Sequence, residues 1–230
     1  MTSDQTLSGD AEQRFTDFVA RRKSGEPVAY ILGRKEFYGL ELAVNPAVLI
    51  PRPETELLVD LSLEKSFASA VDLGTGSGAI ALALKKHQPR ARVLAVDSSA
   101  AALVVAQRNA TRLNLTIELR HGRWLEGIEE LFDLIVSNPP YIAAGDPHLP
   151  ELRFEPAAAL VSGADGLDAI RELARSAPAR LAAGGWLLVE HGMGQDKAVR
   201  ALLDAAGLEE VQSWPDLAGI PRVSGGRRKI

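Results

Sequence analysis

The sequence predicts an open, doubly wound α/β fold with a mostly parallel sheet of seven strands. From residue 68 onward, short apolar runs typical of strands alternate with longer segments of helical periodicity, which indicates βαβ units. A glycine-rich turn directly follows the first of these strands, where open α/β sheets bind ligands. The predicted strands are 69–73, 92–96, 115–119, 132–137, 185–190, 208–213 and 222–230, and the predicted helices are 78–87, 99–113, 166–182 and 195–206.

The N-terminal part of the chain has a different pattern, which predicts a helix and a β-hairpin ahead of the sheet. Residues 10–24 carry apolar side chains at helical spacing, followed by a glycine and a proline as a stop signal. Residues 28–50 are apolar runs broken by glycines, which suggests a hairpin. Thr55 is expected to cap a further helix that runs to about Lys65. The predicted segments are an N-terminal helix (1–26), a β-hairpin linker (27–52) and a large domain (53–230).

Composition narrows the class of protein. The chain has 230 residues, 46% of them hydrophobic and 24% charged, which is ordinary for a globular domain with its own core. The absence of cysteine excludes disulfides and cysteine-bound metals. No apolar run resembles a signal peptide or a membrane span, so a cytoplasmic location is expected. The formal net charge of −4 weighs against stable nucleic-acid binding.

The first motif with a chemical meaning reads Val-Asp-Leu-Gly-Thr-Gly-Ser-Gly over residues 71–78. Glycines let the backbone turn sharply and let a ligand approach without a Cβ in the way. The Gly-x-Gly-x-Gly spacing differs from the Gly-x-Gly-x-x-Gly that places a pyrophosphate at a helix N-terminus. It suits a cofactor without phosphate, such as S-adenosylmethionine. The candidate cofactor-binding residues of this turn are Gly74, Thr75, Gly76, Ser77 and Gly78.

Asp97 ends the second predicted strand of the sheet. An acidic residue at this place commonly accepts hydrogen bonds from ribose hydroxyls. The other reading is an N-cap for the helix that begins near Ser99. Together with the glycine turn, Asp97 indicates an adenosine-bearing cofactor, which leaves S-adenosylmethionine and NAD as alternatives at this point.

The strand 132–137 runs directly into Asn138-Pro139-Pro140-Tyr141. Neither proline has an N–H, and proline restricts the residue before it to extended geometry, so the turn is stiff. Asn138 is therefore held at the carboxyl edge of the sheet, with the Pro139 carbonyl free to face the crevice. This arrangement predicts a catalytic and substrate-binding turn rather than a loop that simply ends a strand.

The residue types in this turn suit one chemical group. An NH2 on an sp2 carbon is a poor nucleophile with two N–H donors, and the Asn138 side-chain oxygen and the Pro139 carbonyl are two matching acceptors. Holding both hydrogens orients the nitrogen towards a sulfonium methyl and favours the charge that develops on it. Tyr141 can stack on the planar group. The predicted reaction is therefore N-methylation with S-adenosylmethionine.

Further segments of the chain, from about Arg21 to Arg228, resemble the peptide chain release factor N5-glutamine methyltransferases. The resemblance covers many motifs in the same order, and it is therefore specific. The segments that carry it are 27–33 (Pro-Val-Ala-Tyr-Ile-Leu-Gly), 48–56 (Val-Leu-Ile-Pro-Arg-Pro-Glu-Thr-Glu), 155–160 (Glu-Pro-Ala-Ala-Ala-Leu), 165–167 (Asp-Gly-Leu), 189–192 (Val-Glu-His-Gly) with Gln195, and 216–219 (Asp-Leu-Ala-Gly) with Arg222 and Val223.

The resemblance implies a Rossmann-like methyltransferase that modifies N5 of the glutamine in the Gly-Gly-Gln loop of class 1 release factors. It implies S-adenosylmethionine as the cofactor and release factors as the protein partners. It also implies roles for single residues: Gly74 to Gly78 would line the cofactor, Asp97 would bind the ribose, Trp124 would pack near the adenine, Asn138 would contact cofactor and substrate, and Pro139, Pro140 and Tyr141 would complete the substrate cleft.

Two points of the prediction stay open. The family usually carries several helices ahead of the Pro-Val-Ala-Tyr segment, whereas 26 residues precede Pro27 here, so a shortened N-terminal domain is expected. Asn-Pro-Pro-Tyr is also shared by methyltransferases of adenine and guanine amino groups, which makes a nucleic-acid N-methyltransferase the alternative function.

Other polar residues receive weaker predictions. Glu190 and His191 are expected at the border of the cleft without a catalytic role. Arg52 and Glu54 either shape the substrate entrance or belong to the hairpin. The four histidines have no metal-binding spacing, and no metal is expected.

Overall fold

The computed structural model describes residues 9–230, so the first eight residues of the predicted segment 1–26 lie outside the described range. The chain begins with helices α1 (Gly9–Lys23) and α2 (Val28–Leu32), followed by an antiparallel hairpin of β1 (Arg34–Phe37) and β2 (Leu40–Ala43). The predicted helix and hairpin ahead of the sheet are confirmed. The predicted extent of the hairpin (28–50) was wrong at both ends. Residues 28–32 form α2, which Gly33 ends at a φ of +68°, and β2 ends at Ala43.

A seven-stranded sheet with helices on both faces forms the rest of the structure. Its strands are β3 (Ser69–Leu73), β4 (Arg92–Asp97), β5 (Glu118–His121), β6 (Phe132–Ser137), β7 (Leu181–Glu190), β8 (Glu209–Pro215) and β9 (Pro221–Arg227). Its helices are α3 (Glu56–Leu63), α4 (Ala79–His87), α5 (Ala100–Leu113), α6 (Asp168–Ser176) and α7 (Asp196–Ala205).

The strand order is β5-β4-β3-β6-β7-β9-β8. The first five strands in this order are parallel, and β9 runs antiparallel to both β7 and β8. The predicted mostly parallel, doubly wound sheet is therefore confirmed. After β5 the chain returns to the other side of β3 to form β6, so the connections leave β3 and β6 in opposite directions. Such a switch point opens a crevice at the carboxyl ends of the two strands.

Alternate residues of the central strands enter two separate cores. Val71 and Leu73 of β3 and Ile135 of β6 pack beneath α6 and α7, whereas Ala70 and Leu134 pack beneath α3 and α4. All five side chains are fully buried. Strands buried on both faces read as continuous apolar runs, which explains why β3 and β6 were predicted at their observed bounds.

Four elements of the sheet and its helices differ from the prediction by three residues or more. β7 begins at Leu181 rather than at 185, and β9 ends at Arg227 rather than at 230. The strand predicted at 115–119 lies at 118–121, because Asn114 ends α5 in the left-handed conformation and pairing with β4 begins only at Glu118. The helix predicted at 166–182 ends at Ser176 and continues as one 3-10 turn, since Pro178 lacks the N–H that a longer helix needs. Within residues 9–230, no helix is both long and apolar enough to cross a bilayer.

Candidate active site

Three loops meet at the switch point, and each follows a strand of the parallel sheet. The glycine turn follows β3, Asp97 is the last residue of β4, and Asn138 comes directly after β6. Leu73 is paired with both Val96 and Ser137, so the three strands end at the same level. The three loops therefore face a common space above the sheet.

Two adjoining spaces open at this edge. The first, the inner cavity, has a volume of about 490 Å³ and is lined by the glycine turn, the end of β4 and the loop after β5. The second, the outer cleft, has a volume of about 540 Å³ and lies between the end of α1 and the loops at 49–52 and 151–160. Asn138 lines both spaces. They therefore meet at a residue that the sequence predicts to be catalytic.

The glycine turn is held against β4 by its backbone. The N–H groups of Gly74 and Thr75 both donate to the Val96 carbonyl, at 2.8 and 3.0 Å. Gly74 and Gly76 line the inner cavity with φ values of +76° and +55°, which a residue with a Cβ rarely adopts. A Cβ on Gly74 would lie 3.3 Å from the Trp124 ring, whereas one on Gly76 would meet nothing within 4 Å. The turn thus exposes backbone to the cavity.

The other three members of the predicted cofactor turn face the protein. The Thr75 hydroxyl donates to Asp72 Oδ2 at 2.6 Å, the Ser77 carbonyl accepts from Asn109, and Gly78 packs closely against α5. These contacts shape the turn and the start of α4. Direct cofactor contact by Thr75, Ser77 and Gly78 stays a prediction.

Asp72 is fully buried beneath the turn. Its Oδ2 accepts from the Thr75 hydroxyl and from the Ala81 N–H, while Oδ1 has no hydrogen-bond partner among the described residues. Burial raises the pKa of Asp72 to about 7, and the nearby Asp97 charge contributes to this rise. Asp72 therefore connects the turn to α4 from below rather than lining the cavity.

Asp97 and Trp124 give the inner cavity a polar side and an aromatic side. Asp97 accepts from the Gly76 N–H through Oδ2 and from the Ser99 N–H through Oδ1, both at 2.8 Å. Each oxygen keeps a lone pair for a further donor. The N-cap of α5 is Ser99, not Asp97. Trp124 has a φ of +48°, a strained value for a bulky residue, and lies beside Gly74 in the cavity wall.

The predicted catalytic turn lies between the two spaces. Asn138 Nδ2 donates to Thr55 Oγ1 at 3.0 Å, and no donor among residues 9–230 contacts its Oδ1. Pro139 is buried, and among residues 9–230 no backbone N–H outside the regular elements donates to its carbonyl. Pro140 lines the inner cavity and Tyr141 lines the outer cleft. Asn138 Oδ1 is therefore available to an incoming group. Pro139 lines neither space, so the role of its carbonyl as an acceptor stays a prediction.

Tyr141 is held from two sides. Its hydroxyl donates to Glu190 Oε1 at 3.3 Å, and its carbonyl accepts from Gln195 Nε2 at 3.0 Å. A Cβ on Gly166 would lie 2.2 Å from the same carbonyl oxygen, so the backbones pack in direct contact. Burial raises the pKa of the Tyr141 hydroxyl above its ordinary value. The side chain is thus a neutral, fixed wall of the cleft.

Glu190 lies behind Tyr141 at the end of β7 and is 1% exposed. Its Oε1 accepts from Tyr141, whereas Oε2 has no hydrogen-bond partner among the described residues. Burial raises the pKa of Glu190 to about 7, although the neighbouring Thr55 and Tyr141 hydroxyls and the Arg222 charge oppose this rise. The neighbouring His191 contacts Ser224 Oγ through Nε2 at 2.8 Å and faces away from the cleft.

The wall of the outer cleft contains a buried carboxylate. Glu155 forms an ion pair with Arg52 and accepts from the Ile50 N–H at 3.0 Å. Arg52 lines the cleft, as the sequence allows, whereas Glu54 is exposed outside it. The loop 151–160 is thereby fixed to the segment that leads into α3.

The structure brings together most of the predicted site residues and adds three to which the sequence assigned no role in the site. Gly74, Gly76, Asp97, Trp124, Asn138 and Pro140 share the inner cavity. Thr55 was predicted as a helix cap, but it makes no capping hydrogen bond and instead contacts Asn138. Gln195 and Glu155 orient Tyr141 and the cleft wall. Only the resemblance of the surrounding segments marked these residues, without giving them a role.

The chemistry of the inner cavity fits S-adenosylmethionine. Its wall combines an indole for an adenine ring, a carboxylate with free lone pairs for ribose hydroxyls, and glycine backbone open to close approach. Among the described residues, no cluster of three or more histidine and carboxylate side chains is arranged to hold a metal ion.

Comparison with protein families gives two matches along the chain. The family model described as the Methyltransferase small domain matches residues 53–153. The model described as the PrmC N-terminal domain matches residues 1–33. The first match covers the glycine turn, Asp97 and Asn138, and the second covers α1 and α2.

Solved structures with a similar fold are methyltransferases of several kinds. A methyltransferase from Pyrococcus furiosus superimposes with a TM-score of 0.67 at 19% identity and covers 97% of this chain and 100% of its own. The Thermus thermophilus 16S rRNA N2 G1207 methyltransferase, in complex with AdoMet and guanosine, superimposes with a TM-score of 0.64 at 22% identity. This match covers 85% of the present chain and 50% of that protein. These similarities confirm a methyltransferase fold.

Curated proteins give much closer similarity. The release factor glutamine methyltransferase of Xylella fastidiosa (strain Temecula1) is 52% identical, over 97% of this chain and 84% of its own length. The enzymes of the same name from Bordetella pertussis and Pseudomonas aeruginosa are 51% and 50% identical, over 94% and 95% of this chain and 83% and 82% of their own lengths. Because relatives more than 50% identical match nearly the whole chain, the chain belongs to the release factor glutamine methyltransferase family.

Proposed function

We propose that this enzyme transfers a methyl group from S-adenosylmethionine to the side-chain amide nitrogen, N5, of the glutamine in the Gly-Gly-Gln loop of class 1 peptide chain release factors. The observation that carries the proposal is the position of Asn138, which lies where the inner cavity meets the outer cleft and whose Oδ1 has no donor within the described part of the chain. The acceptor follows from the family, whose members at 52% and 51% identity are named for release factor glutamine.

The inner cavity is the proposed cofactor site. When bound, S-adenosylmethionine supplies an electrophilic methyl group on a sulfonium. Asp97 would accept from the ribose hydroxyls with the lone pairs that Gly76 and Ser99 leave free. Trp124 would pack against the adenine, and Gly74 and Gly76 would allow the backbone to lie against the cofactor.

The turn at 138–140 is the proposed acceptor site. Asn138 Oδ1 and the Pro139 carbonyl would each accept one hydrogen of the glutamine NH2, so the amide nitrogen is oriented towards the inner cavity. Both oxygens stabilise the positive charge that develops on the nitrogen as its bond to carbon forms. Because the prolines keep the turn rigid, the two acceptors need no reorganisation during the reaction.

Tyr141 is proposed to form the wall against which the planar amide packs. Glu190 and Gln195 fix its ring and its backbone, and its neutral hydroxyl remains a donor to Glu190. The methylated nitrogen becomes acidic and releases its proton to water, so a dedicated general base is not part of this mechanism. Positioning and desolvation then account for the rate, in the range of about 7–11 kcal/mol available to well-oriented reactants.

A base amino group in nucleic acid offers the same two N–H donors, and it is the competing acceptor. The net charge of −4 and the family membership favour the protein acceptor. Since that acceptor belongs to a translation factor, we propose that the enzyme acts in the cytoplasm.

The test is methyl transfer from labelled S-adenosylmethionine to three acceptors, run in parallel: a class 1 release factor, RNA and DNA. Transfer to the release factor alone is expected, with a mass increase of one CH2 on the glutamine of its Gly-Gly-Gln peptide. A release factor whose glutamine is replaced by alanine is the matched control and should receive no label. Transfer to RNA or DNA with none to the release factor would overturn the proposed substrate.

A further inference from the structure

We propose that Thr55 is a positioning residue that sets the orientation of the Asn138 amide, and that Glu190 directs the Thr55 hydroxyl. This inference rests on the proposed function, because it concerns how the acceptor NH2 is received. It begins from the contact between Asn138 Nδ2 and Thr55 Oγ1 at 3.0 Å.

An asparagine amide has two ends of equal size and opposite hydrogen-bonding character. Its oxygen accepts, and its NH2 donates. If the Asn138 amide were rotated by half a turn, its NH2 would face the NH2 of the substrate, and two donors would oppose each other. The proposed chemistry therefore requires a contact that keeps Asn138 Oδ1 directed towards the space where the inner cavity and the outer cleft meet.

Thr55 lies in the right position to make this contact. It lies in the turn Pro53–Thr55 ahead of α3 and is 4% exposed, 83 positions away from Asn138 in the chain. The hydroxyl makes no capping hydrogen bond to α3, so it has no local task in the helix. A hydroxyl alone is ambiguous, however, because it can either accept from Nδ2 or donate to Oδ1.

Glu190 removes this ambiguity. An ionised carboxylate only accepts hydrogen bonds. The Tyr141 hydroxyl donates a hydrogen bond to Glu190 Oε1, while Glu190 Oε2 has no hydrogen-bond partner among the described residues. The Thr55 hydroxyl lies beside the same carboxyl group. A Thr55 proton directed at Glu190 leaves only lone pairs towards Asn138. The amide must then present Nδ2 to Thr55 and Oδ1 to the substrate.

The fixed direction of these bonds joins three segments that are distant in sequence. Glu190 ends β7, Thr55 precedes α3 and Asn138 follows β6. Tyr141, the wall of the cleft, is held by the same carboxylate. The buried Glu190 carboxylate thereby sets both the orientation of the Asn138 amide and the position of the Tyr141 ring.

The test compares Thr55→Val, which removes the hydroxyl at similar volume, with Thr55→Ser, which keeps it. Thr111→Val is the matched control, since Thr111 is exposed on α5 and its hydroxyl, among residues 9–230, hydrogen-bonds within its own helix alone. The readouts are kcat and KM with a class 1 release factor, the Kd for S-adenosylhomocysteine, and thermal unfolding.

Thr55→Val should lower kcat by about 5- to 150-fold, the cost of one misdirected or unpaired polar group, with KM and the cofactor Kd within about twofold of wild type. Thr55→Ser and Thr111→Val should stay within about threefold in kcat. Glu190→Gln should also lower kcat, because a carboxamide can donate to Thr55 and release the constraint.

A Thr55→Val enzyme with a kcat within about twofold of wild type would overturn the proposal. So would a Thr55→Ser enzyme whose kcat falls by as much as that of Thr55→Val. If Thr55→Val loses cooperative unfolding, Glu190→Gln decides, since an unchanged kcat there excludes the directing role. Failure of the proposed function is seen separately, as a wild-type enzyme that labels no release factor.

Discussion

The Asp97 carboxylate accepts a hydrogen bond from the Gly76 N–H at 2.8 Å, which joins the end of β4 to the glycine turn after β3. The turn and its predicted ribose-binding residue therefore form one unit. Any change at Asp97 acts on the shape of the inner cavity as well as on contacts to the cofactor.

Asp97→Ala should weaken binding of S-adenosylhomocysteine by about 1–3 kcal/mol, because hydrogen bonds to a charged acceptor are lost. Asp97→Asn should weaken it less, since an amide oxygen can still accept from Gly76. Calorimetric titration of both variants measures the effect. An unchanged dissociation constant for Asp97→Ala would contradict the ribose-binding role.

Asn138→Ala should lower kcat by at least about 100-fold, comparable to the loss of one preorganised group that stabilises developing charge. The cofactor Kd should change only modestly, because Gly74, Asp97 and Trp124 line the inner cavity independently of Asn138. Single-turnover transfer to a release factor, with titration of S-adenosylhomocysteine, separates the two effects. Near-normal turnover would exclude Asn138 from the acceptor site.

The rate of methyl transfer should fall as the pH drops through about 7. Burial raises the pKa of Glu190 to about 7, so below that pH the group is protonated and can itself donate to Thr55. The charged and titratable groups that face Glu190 are Tyr141, Arg222 and Glu54. A pH profile of kcat for wild type and Glu190→Gln checks this, since the variant should lack the decrease on the acid side. The same decrease in the variant would mean that another group titrates.

Asp72 should make the enzyme less stable as the pH rises towards 7. Its pKa is about 7 in the folded state against an ordinary 3.8, so the folded chain binds this proton more tightly than the unfolded chain. The stability that this proton contributes to the folded state is therefore lost as the pH rises from about 4 to about 7. Above that range the contribution of Asp72 no longer changes with pH. Urea unfolding of wild type and Asp72→Asn at several pH values measures the difference. If the free energy of unfolding changed equally with pH in both proteins, the raised pKa would not belong to Asp72.

Asn109→Ala should lower the free energy of unfolding by about 2–4 kcal/mol, because it leaves buried backbone groups unpaired. Asn109 is fully buried; it accepts from the Ala43 N–H at 2.7 Å and donates to the Ala43 and Ser77 carbonyls at 3.0 and 2.9 Å. Gln107→Ala on the exposed face of the same helix is the control. Equal stability of the two variants would show that the link from the hairpin to the glycine turn is dispensable.

The sequence predicted the fold best where one strong pattern controls it. The strands β3 and β6 are buried on both faces, so their apolar runs gave their observed bounds. At the edge of the sheet, β5 is only partly buried, and Leu115 and Ile117 looked like strand residues although they pack beside α5. Edge strands depend on their one partner, which a local pattern does not reveal.

The site was predictable only as far as its parts are local. The Gly-x-Gly-x-Gly turn and the Asn-Pro-Pro-Tyr turn each have a backbone reason for their composition, and the structure places both at the switch point. The role of Thr55 was missed, because its position beside Pro53 matches a helix start equally well. Its contact with Asn138 joins residues 83 positions apart, and only the packing of α3 on the sheet creates it.

The strand β9 follows β8 in the chain but lies between β7 and β8 in the sheet. Of these two strands only β9 pairs with β7, and within the described part of the chain β8 joins the sheet through β9 alone, so the last strand of the chain connects the β8–β9 hairpin to the parallel strands. Without β9, residues 186–190 of β7, with Glu190 at the end, would be an unpaired hydrogen-bonding edge of the kind that pairs with strands from other chains. Chains interrupted ahead of Pro221 would thus carry a finished glycine turn and catalytic turn on a sheet prone to aggregation.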